Sequence, residues 1–68
     1  MFIHEAVKEA MVKKCYIKRA TAWWGNITKL LPTNTQDCIV IYSNSKPPRR
    51  GWEPNAEDLI ADDWIVVD

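Results

Sequence analysis

Four tryptophans in a chain of only 68 residues are the feature that most restricts what this sequence can form. A domain of this length buries roughly 60% of the surface that its unfolded chain exposes, so its core is thin. Such a core has little room for four indole rings, each with an N–H group that needs a partner when buried. We expect one or two of these tryptophans to line a pocket or an interface, and Trp64, which opens an apolar run, to lie in the core.

The balance of positive and negative residues argues against two classes of protein. Nine Lys plus Arg residues match nine Asp plus Glu residues, whereas nucleic-acid-binding domains and polybasic membrane anchors carry a strong positive excess. An apolar fraction of 47% is typical of a folded domain. No apolar run approaches the roughly 20 residues of a membrane helix, and residues 1–5 lack the blocks of a signal peptide. The sequence therefore predicts a cytoplasmic protein that binds neither DNA, RNA nor a membrane.

Residues suited to catalysis or metal binding are few. Cys15, Cys38 and His4 are far apart in the sequence and do not have the spacing of a structural zinc site. Gly25 and Gly51, the only glycines, cannot form a glycine-rich phosphate loop. We expect no metal, no cofactor and no catalytic residue, and we interpret both cysteines as small buried hydrophobes. A Cys–His nucleophilic pair stays open as the enzyme alternative, although nothing near either cysteine would activate the thiol.

Hydrophobic spacing predicts a single α+β domain over residues 1–68. An N-terminal helix over residues 3–14 packs on a small, mostly antiparallel sheet, and a short helical turn precedes the last strand. The predicted strands cover residues 15–19, 27–31, 38–42 and 64–67, with the helical turn at 56–61 and loops at 32–37 and 43–48. Asn55 is predicted to cap the helical turn, with Asp58 three residues later. Four short strands leave exposed edges, which favours a homo-oligomer.

Two groups of arginine and tryptophan residues are candidate ligand sites. Arg19 with Trp23 and Trp24 could hold a phosphate and stack a base, or could form a cation–π pair at the surface. Arg49 and Arg50, next to Trp52 in an irregular segment, could meet a phosphate-bearing ligand or remain solvated.

Polar residues near the C-terminus and one aromatic residue near the N-terminus complete the candidates. Asp58 either caps the helical turn together with Asn55 or accepts hydrogen bonds from ligand hydroxyls. Phe2 precedes the first helix and could staple its start or reach a site. The acidic residues Glu57, Asp62 and Asp63 are interpreted as solvated rather than as general acids and bases.

The C-terminal third carries a dense signature of aromatic, acidic and small residues. It reads Trp52-x-Pro54, followed by Asp58-Leu59-x-Ala61-x-Asp63-Trp64-x-Val66. Together with Phe2 before a short helix, and with a strand that ends in Arg19 before a tryptophan corner, this signature resembles the Thoeris anti-defence protein 2 family of small phage and prophage proteins. The resemblance covers nearly the whole chain.

The resemblance implies a function that composition does not indicate. Members of this family bind and sequester glycocyclic ADP-ribose, the signal made by a Toll/interleukin-1 receptor-domain enzyme of bacterial immunity, so that the effector stays inactive. They are non-catalytic homo-oligomers, typically tetramers, with ligand pockets at protomer interfaces. Some relatives take up cyclic di- or trinucleotides of the CBASS system. For this chain the resemblance implies a sponge in the cytoplasm of a bacterial host.

The ligand chemistry suits the residues already singled out. Indole rings could stack the adenine, arginines could neutralise the phosphates, and Asn55 or Asp58 could bind ribose hydroxyls. Three alternatives remain: a sponge for CBASS cyclic oligonucleotides, an enzyme that degrades the signal, and an inhibitor that binds a defence protein directly. The candidate ligand-binding residues are Phe2, Arg19, Trp23, Trp24, Arg49, Arg50, Trp52, Pro54, Asn55 and Asp58.

Overall fold

The computed structural model describes all 68 residues as two helices, five strands and a 3₁₀ turn. The helix α1 is followed by β1, a 3₁₀ turn that we call the tryptophan turn, β2, β3, β4, the short helix α2 and β5. Their bounds are α1 Ile3–Lys13, β1 Tyr16–Arg19, the tryptophan turn Trp23–Asn26, β2 Thr28–Pro32, β3 Ile39–Ser43, β4 Lys46–Arg49, α2 Ala56–Ile60 and β5 Trp64–Val67.

The five strands form one antiparallel sheet in the order β4-β3-β2-β1-β5. The predicted α+β architecture is confirmed, but the assignment of residues 43–48 to a loop is wrong, because β4 starts at Lys46 and pairs with β3. This strand contains Pro47 and Pro48, which cannot donate ladder hydrogen bonds. Prolines are compatible with an edge strand that pairs on one side only, and β4 has that position.

Helix α1 packs on the middle of the sheet through its smallest side chains. Ala6 and Ala10 are buried, and they meet Ile17 of β1 and Leu30 of β2 in the core. Methyl side chains at positions four apart let the helix approach the sheet closely, since they lie on one helix face. The backbone N–H of Phe2 donates to the Glu5 carboxylate at 2.8 Å, which closes the first turn. Neither helix combines the length and the hydropathy needed to cross a membrane.

Trp64 is the centre of the core, as predicted. It is completely buried, and its indole Nε1 donates to the backbone oxygen of Asp58 at 2.9 Å. The rings of Trp24 and Trp52 pack against it with centroid distances of 5.9 and 5.8 Å. No buried side-chain nitrogen or oxygen lacks a hydrogen-bond partner. One fully buried indole with two others at its flanks is therefore the arrangement that this small core accommodates.

The prediction that both cysteines are buried is wrong. Cys38 is exposed and Cys15 is only half-buried, and both are free thiols. Each precedes its strand by one residue, because β1 begins at Tyr16 and β3 at Ile39. Cys38 has a φ of 59° and Lys14, just before Cys15, has a φ of 58°, so both strand entries are left-handed turns. Residues in such turns lie at the surface, which explains the exposure.

Candidate functional site

The tryptophan turn is fixed against the end of β1 by a glycine. Gly25 is buried, and a Cβ atom at this position would collide with the backbone oxygen of Arg19. The chain can therefore turn sharply past the strand only with glycine here. This turn places Trp24 against the core, whereas Trp23, its neighbour, projects outward with 79% of its surface exposed.

The N-terminus of α2 forms the side of the site that faces the tryptophan turn. Asn55 Oδ1 accepts from the Asp58 backbone N–H at 3.0 Å, and Asp58 Oδ2 accepts from the Asn55 N–H at 3.4 Å. This reciprocal pair is a capping box, and it confirms the predicted cap. Asp58 is 9% exposed, although its side chain is charged.

The side chain of Arg19 joins β1 to α2 and to the start of β5. Its Nε donates to Asp63 Oδ1 at 2.7 Å, and its Nη1 donates to Asp58 Oδ1 at 3.2 Å. Glu57 lies further away, at 3.9 Å from Nη1, and is mostly exposed. The Arg19 side chain is 11% exposed. Its Nη2 donates to no group in the protein, so the guanidinium keeps unused N–H donors.

This network holds Asp63 in its charged form. Hydrogen bonds from Arg19 and from the Thr21 hydroxyl and backbone N–H place the pKa of Asp63 well below its usual value. In return, the hydrogen bond to Asp63 raises the pKa of Arg19, although burial of the guanidinium opposes that shift. Asp63 was interpreted as a solvated acid, and this interpretation is wrong, because its carboxylate is mostly buried against Arg19.

A cleft of about 500 Å³ lies between the tryptophan turn and α2. We call it the tryptophan cleft. Arg19 is the one cation in its lining, which also contains the acidic residues Glu57 and Asp58. Asp63 lies outside the lining and forms an ion pair with Arg19. The local charge is therefore negative despite the arginine. The residues that line it are Arg19, Thr21, Ala22, Trp23, Trp24, Asn55, Glu57 and Asp58.

Comparison of the chain with known protein families identifies its family. The model of the Thoeris anti-defense 2-like domain matches residues 1–67. The chain belongs to this family. Searches of curated proteins and of solved structures returned no match.

Half of the candidate ligand-binding residues meet in the tryptophan cleft. The structure brings together Arg19, Trp23, Trp24, Asn55 and Asp58, which the sequence placed in two separate groups. The link is the pairing of β1 with β5, because Arg19 lies opposite Trp64 and thus beside the C-terminal signature. Of the C-terminal signature, Asp58 lines the cleft, and Asp63 holds Arg19 in place beside it.

The other five candidates lie outside the lining of this cleft. Trp52 is half-buried and packs against the core and Trp64. Phe2 caps α1 and stacks on His4 with a centroid distance of 6.3 Å. Arg49 is exposed at the edge strand β4, where it lies opposite Ile41, and Arg50 is 3.7 Å from Asp37. Pro54 is exposed in the segment before α2.

Sequence reasoning missed the residues that hold Arg19 in place. Asp63 accepts from the Arg19 guanidinium, and Thr21 donates to the Asp63 carboxylate. Glu57 adds a carboxylate at the rim of the cleft. Asp63 stood within the C-terminal signature, and this was the signal that could have identified it. Thr21 had no such signal, since its role depends on the chain reversal after β1.

Proposed function

We propose that this member of the Thoeris anti-defense 2-like family binds a cyclic nucleotide immune signal, glycocyclic ADP-ribose, and sequesters it without cleavage. The effector then receives no signal and stays inactive. The observation that carries the proposal is the tryptophan cleft, where an exposed indole faces hydrogen-bonding groups of a helix N-terminus. Its volume lies within the range of small-molecule sites.

The exposed indole of Trp23 supports recognition of the adenine. An indole that is 79% exposed has an energetic cost in water that a stacked base would remove. Stacking of a base on an aromatic side chain contributes about 1–3 kcal/mol. Trp24 lines the same cleft from its packed position and supplies a second apolar wall.

The acidic rim supports recognition of the ribose hydroxyls. Asn55, Glu57 and Asp58 present amide and carboxylate oxygens along one side of the cleft. Hydroxyl groups donate to such oxygens, whereas a phosphate would be repelled by the negative charge. Arg19, one of the arginines that the sequence offered for the phosphates, is already engaged by Asp58 and Asp63. We therefore assign Arg19 to positioning the rim rather than to the diphosphate.

The state of the carboxylates supports binding without cleavage. A general base needs a pKa near the working pH, and the pKa of Asp63 is far below it. Asp58 is committed to the helix cap and to Arg19. These contacts favour a rigid binding surface over an acid–base site.

A sponge that competes with an effector needs tight binding, and one protomer offers little enclosure. Nanomolar affinity corresponds to about −12 kcal/mol, which one stack and a few hydrogen bonds do not reach. We propose that protomers associate, as a tetramer, and that a neighbour covers part of the ligand. The exposed Trp23 at the rim of the cleft is a suitable contact for such a neighbour.

The direct experiment is retention of the ligand by the purified protein. Glycocyclic ADP-ribose is mixed with a molar excess of protein, the mixture is ultrafiltered, and the retained fraction is heated and measured by mass spectrometry. We expect the ligand to leave the filtrate and to return intact on heating. Ligand that remains in the filtrate contradicts the sponge, and ligand that returns cleaved contradicts its non-catalytic character.

A panel of nucleotide signals distinguishes glycocyclic ADP-ribose from the main alternative ligands, the cyclic oligonucleotides. Stacking and hydroxyl contacts are available to cyclic di- and trinucleotides as well, so the same retention experiment is run with those of the CBASS system. We expect glycocyclic ADP-ribose to be retained at the lowest protein concentration. Preferential retention of a cyclic oligonucleotide would change the assigned ligand but not the sponge mechanism.

A further inference from the structure

The carboxylate of Asp63 bonds to both sides of the tryptophan cleft without lining it. Its Oδ1 accepts from Arg19 Nε at 2.7 Å. Its Oδ2 accepts from the backbone N–H of Thr21 at 3.1 Å and also from the Thr21 hydroxyl. Arg19 and Thr21 line the cleft, whereas Asp63 lies outside the lining. The two oxygens of one carboxylate therefore act on two different segments of the site.

The Oδ1 oxygen acts on the side of the cleft that α2 forms. Arg19 has its Nε on Asp63 and its Nη1 on Asp58 Oδ1 at 3.2 Å. Asp58 in turn forms the capping box with Asn55 at the start of α2. Because a guanidinium is planar and rigid, holding Nε also fixes the direction in which Nη1 donates. Asp63 thus orients, through Arg19, the acidic rim of the cleft.

The Oδ2 oxygen acts on the opposite side, where the chain enters the tryptophan turn. Thr21 lies two residues after the end of β1 and two residues before Trp23. The backbone of Asp63 holds the same segment, because its oxygen accepts from the Ala20 N–H at 2.9 Å. Trp23 is 79% exposed and has few contacts with the core to hold it. Its position therefore depends on how the residues before it are fixed.

The two sides of the cleft have no direct bond to each other. No hydrogen bond or ion pair joins a residue of the tryptophan turn to a residue of α2. The path between them starts at Thr21 and leads through Asp63 and Arg19 to α2. The side chains of Arg19 and Asp63 are 11% and 18% exposed, so water competes weakly for the bonds between them.

From this arrangement we infer that Asp63 is a positioning residue, which sets the place of Trp23 relative to the rim formed by α2. Ligand affinity at the tryptophan cleft then depends on a carboxylate that the ligand does not contact. A carboxylate accepts through two oxygens, whereas an asparagine amide has one acceptor oxygen and an NH₂ group that only donates. Asparagine at position 63 can therefore serve Arg19 or Thr21 but not both. The inference rests on the function proposed for this cleft.

Variants of Thr21 and Asp63 test the inference through the Kd of glycocyclic ADP-ribose, measured by calorimetric titration below the Tm of each variant. Thr21→Val removes the hydroxyl bond to Asp63, and we expect an about tenfold higher Kd, as for the loss of one charge-assisted hydrogen bond. Thr21→Ser keeps the hydroxyl and restores a Kd close to that of the wild type. Loss in the serine variant but not in the valine variant would instead indicate direct contact of the threonine methyl group with the ligand.

The double variant Thr21→Val/Asp63→Asn distinguishes positioning from direct contact of the Thr21 hydroxyl with the ligand. If Thr21 acts through Asp63, the two losses in affinity are not additive, and the double variant binds no more weakly than Asp63→Asn alone. Thr33→Val is the matched control, because it removes a hydroxyl that donates to the Cys38 backbone oxygen in the loop between β2 and β3. We expect it to keep the wild-type Kd.

The mobility of Trp23 gives a second readout that needs no ligand. Relaxation of the ¹⁵N-labelled indole reports motion on the picosecond-to-nanosecond timescale. We expect greater mobility of this indole in Thr21→Val and in Asp63→Asn than in the wild type and in Thr33→Val. Unchanged mobility in both variants, an unchanged Kd in both, or additive losses in the double variant would overturn the inference. Failure of the wild type to bind glycocyclic ADP-ribose contradicts the proposed function instead, and the mobility of Trp23 then decides whether Asp63 positions it.

Discussion

Asp58 shows how a single residue links the local structure to the site. It makes four hydrogen-bonding connections, two with Asn55 in the helix cap, one with Arg19 and one with the indole of Trp64. Sequence reasoning offered a cap or a ligand contact as alternatives. The structure shows that the cap is formed and that the same carboxylate also borders the tryptophan cleft.

Removal of Arg19 tests whether it is mainly a structural residue. Arg19→Ala leaves the Asp58 and Asp63 carboxylates close together without their cation, and breaking a buried ion pair in this way costs roughly 3 kcal/mol. We expect a loss of this order in the free energy of unfolding, measured by urea denaturation without ligand. Arg49→Ala, at the exposed edge strand, is the control. Unchanged stability of Arg19→Ala would return Arg19 to a role in ligand binding alone.

The low pKa of Asp63 predicts a pH dependence of stability. Because the pKa is lower in the folded state than the unfolded value of about 3.9, the charged Asp63 stabilises the fold fully above that value. This contribution is lost as the pH falls below about 4. We expect Asp63→Asn to be less stable than the wild type at pH 7, and the difference in free energy of unfolding to shrink at pH 3. A difference that is the same at both pH values would contradict this role.

At the scale of elements, the tryptophan turn and the segment before α2 give the four tryptophans different roles. The turn exposes Trp23 and packs Trp24, because adjacent residues of a 3₁₀ turn point in different directions. The segment before α2 carries Trp52 onto Trp64, and the Trp52 backbone N–H donates to Ile39 at 3.0 Å. Trp52 therefore has a packing role in the core and lies outside the lining of the tryptophan cleft.

A pair of variants tests the different roles of Trp23 and Trp52. Truncation of a buried tryptophan costs about 3–5 kcal/mol, and for the half-buried Trp52 we expect Trp52→Ala to cost roughly 2 kcal/mol. Trp23→Ala removes an exposed ring and changes the free energy of unfolding by less than about 0.5 kcal/mol. We expect it to weaken retention of glycocyclic ADP-ribose by roughly 10- to 100-fold, the equivalent of a lost stack. Equal ligand affinity in Trp23→Ala and wild type would remove Trp23 from the site.

A substitution at Gly25 tests whether the close contact between the tryptophan turn and the end of β1 supports both the fold and the cleft. A Cβ atom at this position meets the backbone oxygen of Arg19, so Gly25→Ala must shift the turn or the end of the strand. We expect both a lower Tm and weaker ligand retention, measured on the same preparation. Gly51→Ala is the contrasting variant, because a Cβ there meets no atom, although alanine is strained at the φ of 72° that this glycine adopts. It lowers the Tm and leaves retention unchanged.

At the scale of the whole molecule, one small core supports one face of the sheet. The fully buried hydrophobic residues are five, and all lie between α1 and the sheet or beside it. The opposite face retains half-buried apolar side chains and two lysines without a covering element. A chain of this design is expected to gain stability by association with copies or with ligands.

The oligomeric state is measured by light scattering on a size-exclusion column. We expect a mass four times that of the 7.9 kDa chain at micromolar concentration. We expect glycocyclic ADP-ribose to stabilise the assembly, because a ligand that contacts two protomers binds only when they are associated. A monomer that retains the ligand with nanomolar Kd would contradict the proposed enclosure by a neighbour.

The sequence by itself determined the elements whose signals are local. The spacing of Ile3, Ala6, Val7 and Ala10 predicted α1, and Asn55 with Asp58 predicted the start of α2. The apolar runs predicted β3 and β5 to within a residue. These features depend on periodicity and capping, which act between residues a few positions apart. The C-terminal signature also indicated the family that the comparison found.

Which residues form a site depends on contacts between distant segments of the chain. Pairing of β1 with β5 brings Arg19 to Asp63, 44 positions away, and makes this candidate phosphate ligand a member of an ion-pair network. The tryptophan turn leaves Trp23 exposed and packs Trp24 against the core, although no local signal separates these two adjacent tryptophans. Pairing of β1 with β2 also sets Lys18 against Lys29 through the strand register. Contacts between distant segments fix burial and charge, and these two quantities determine what each side chain can bind.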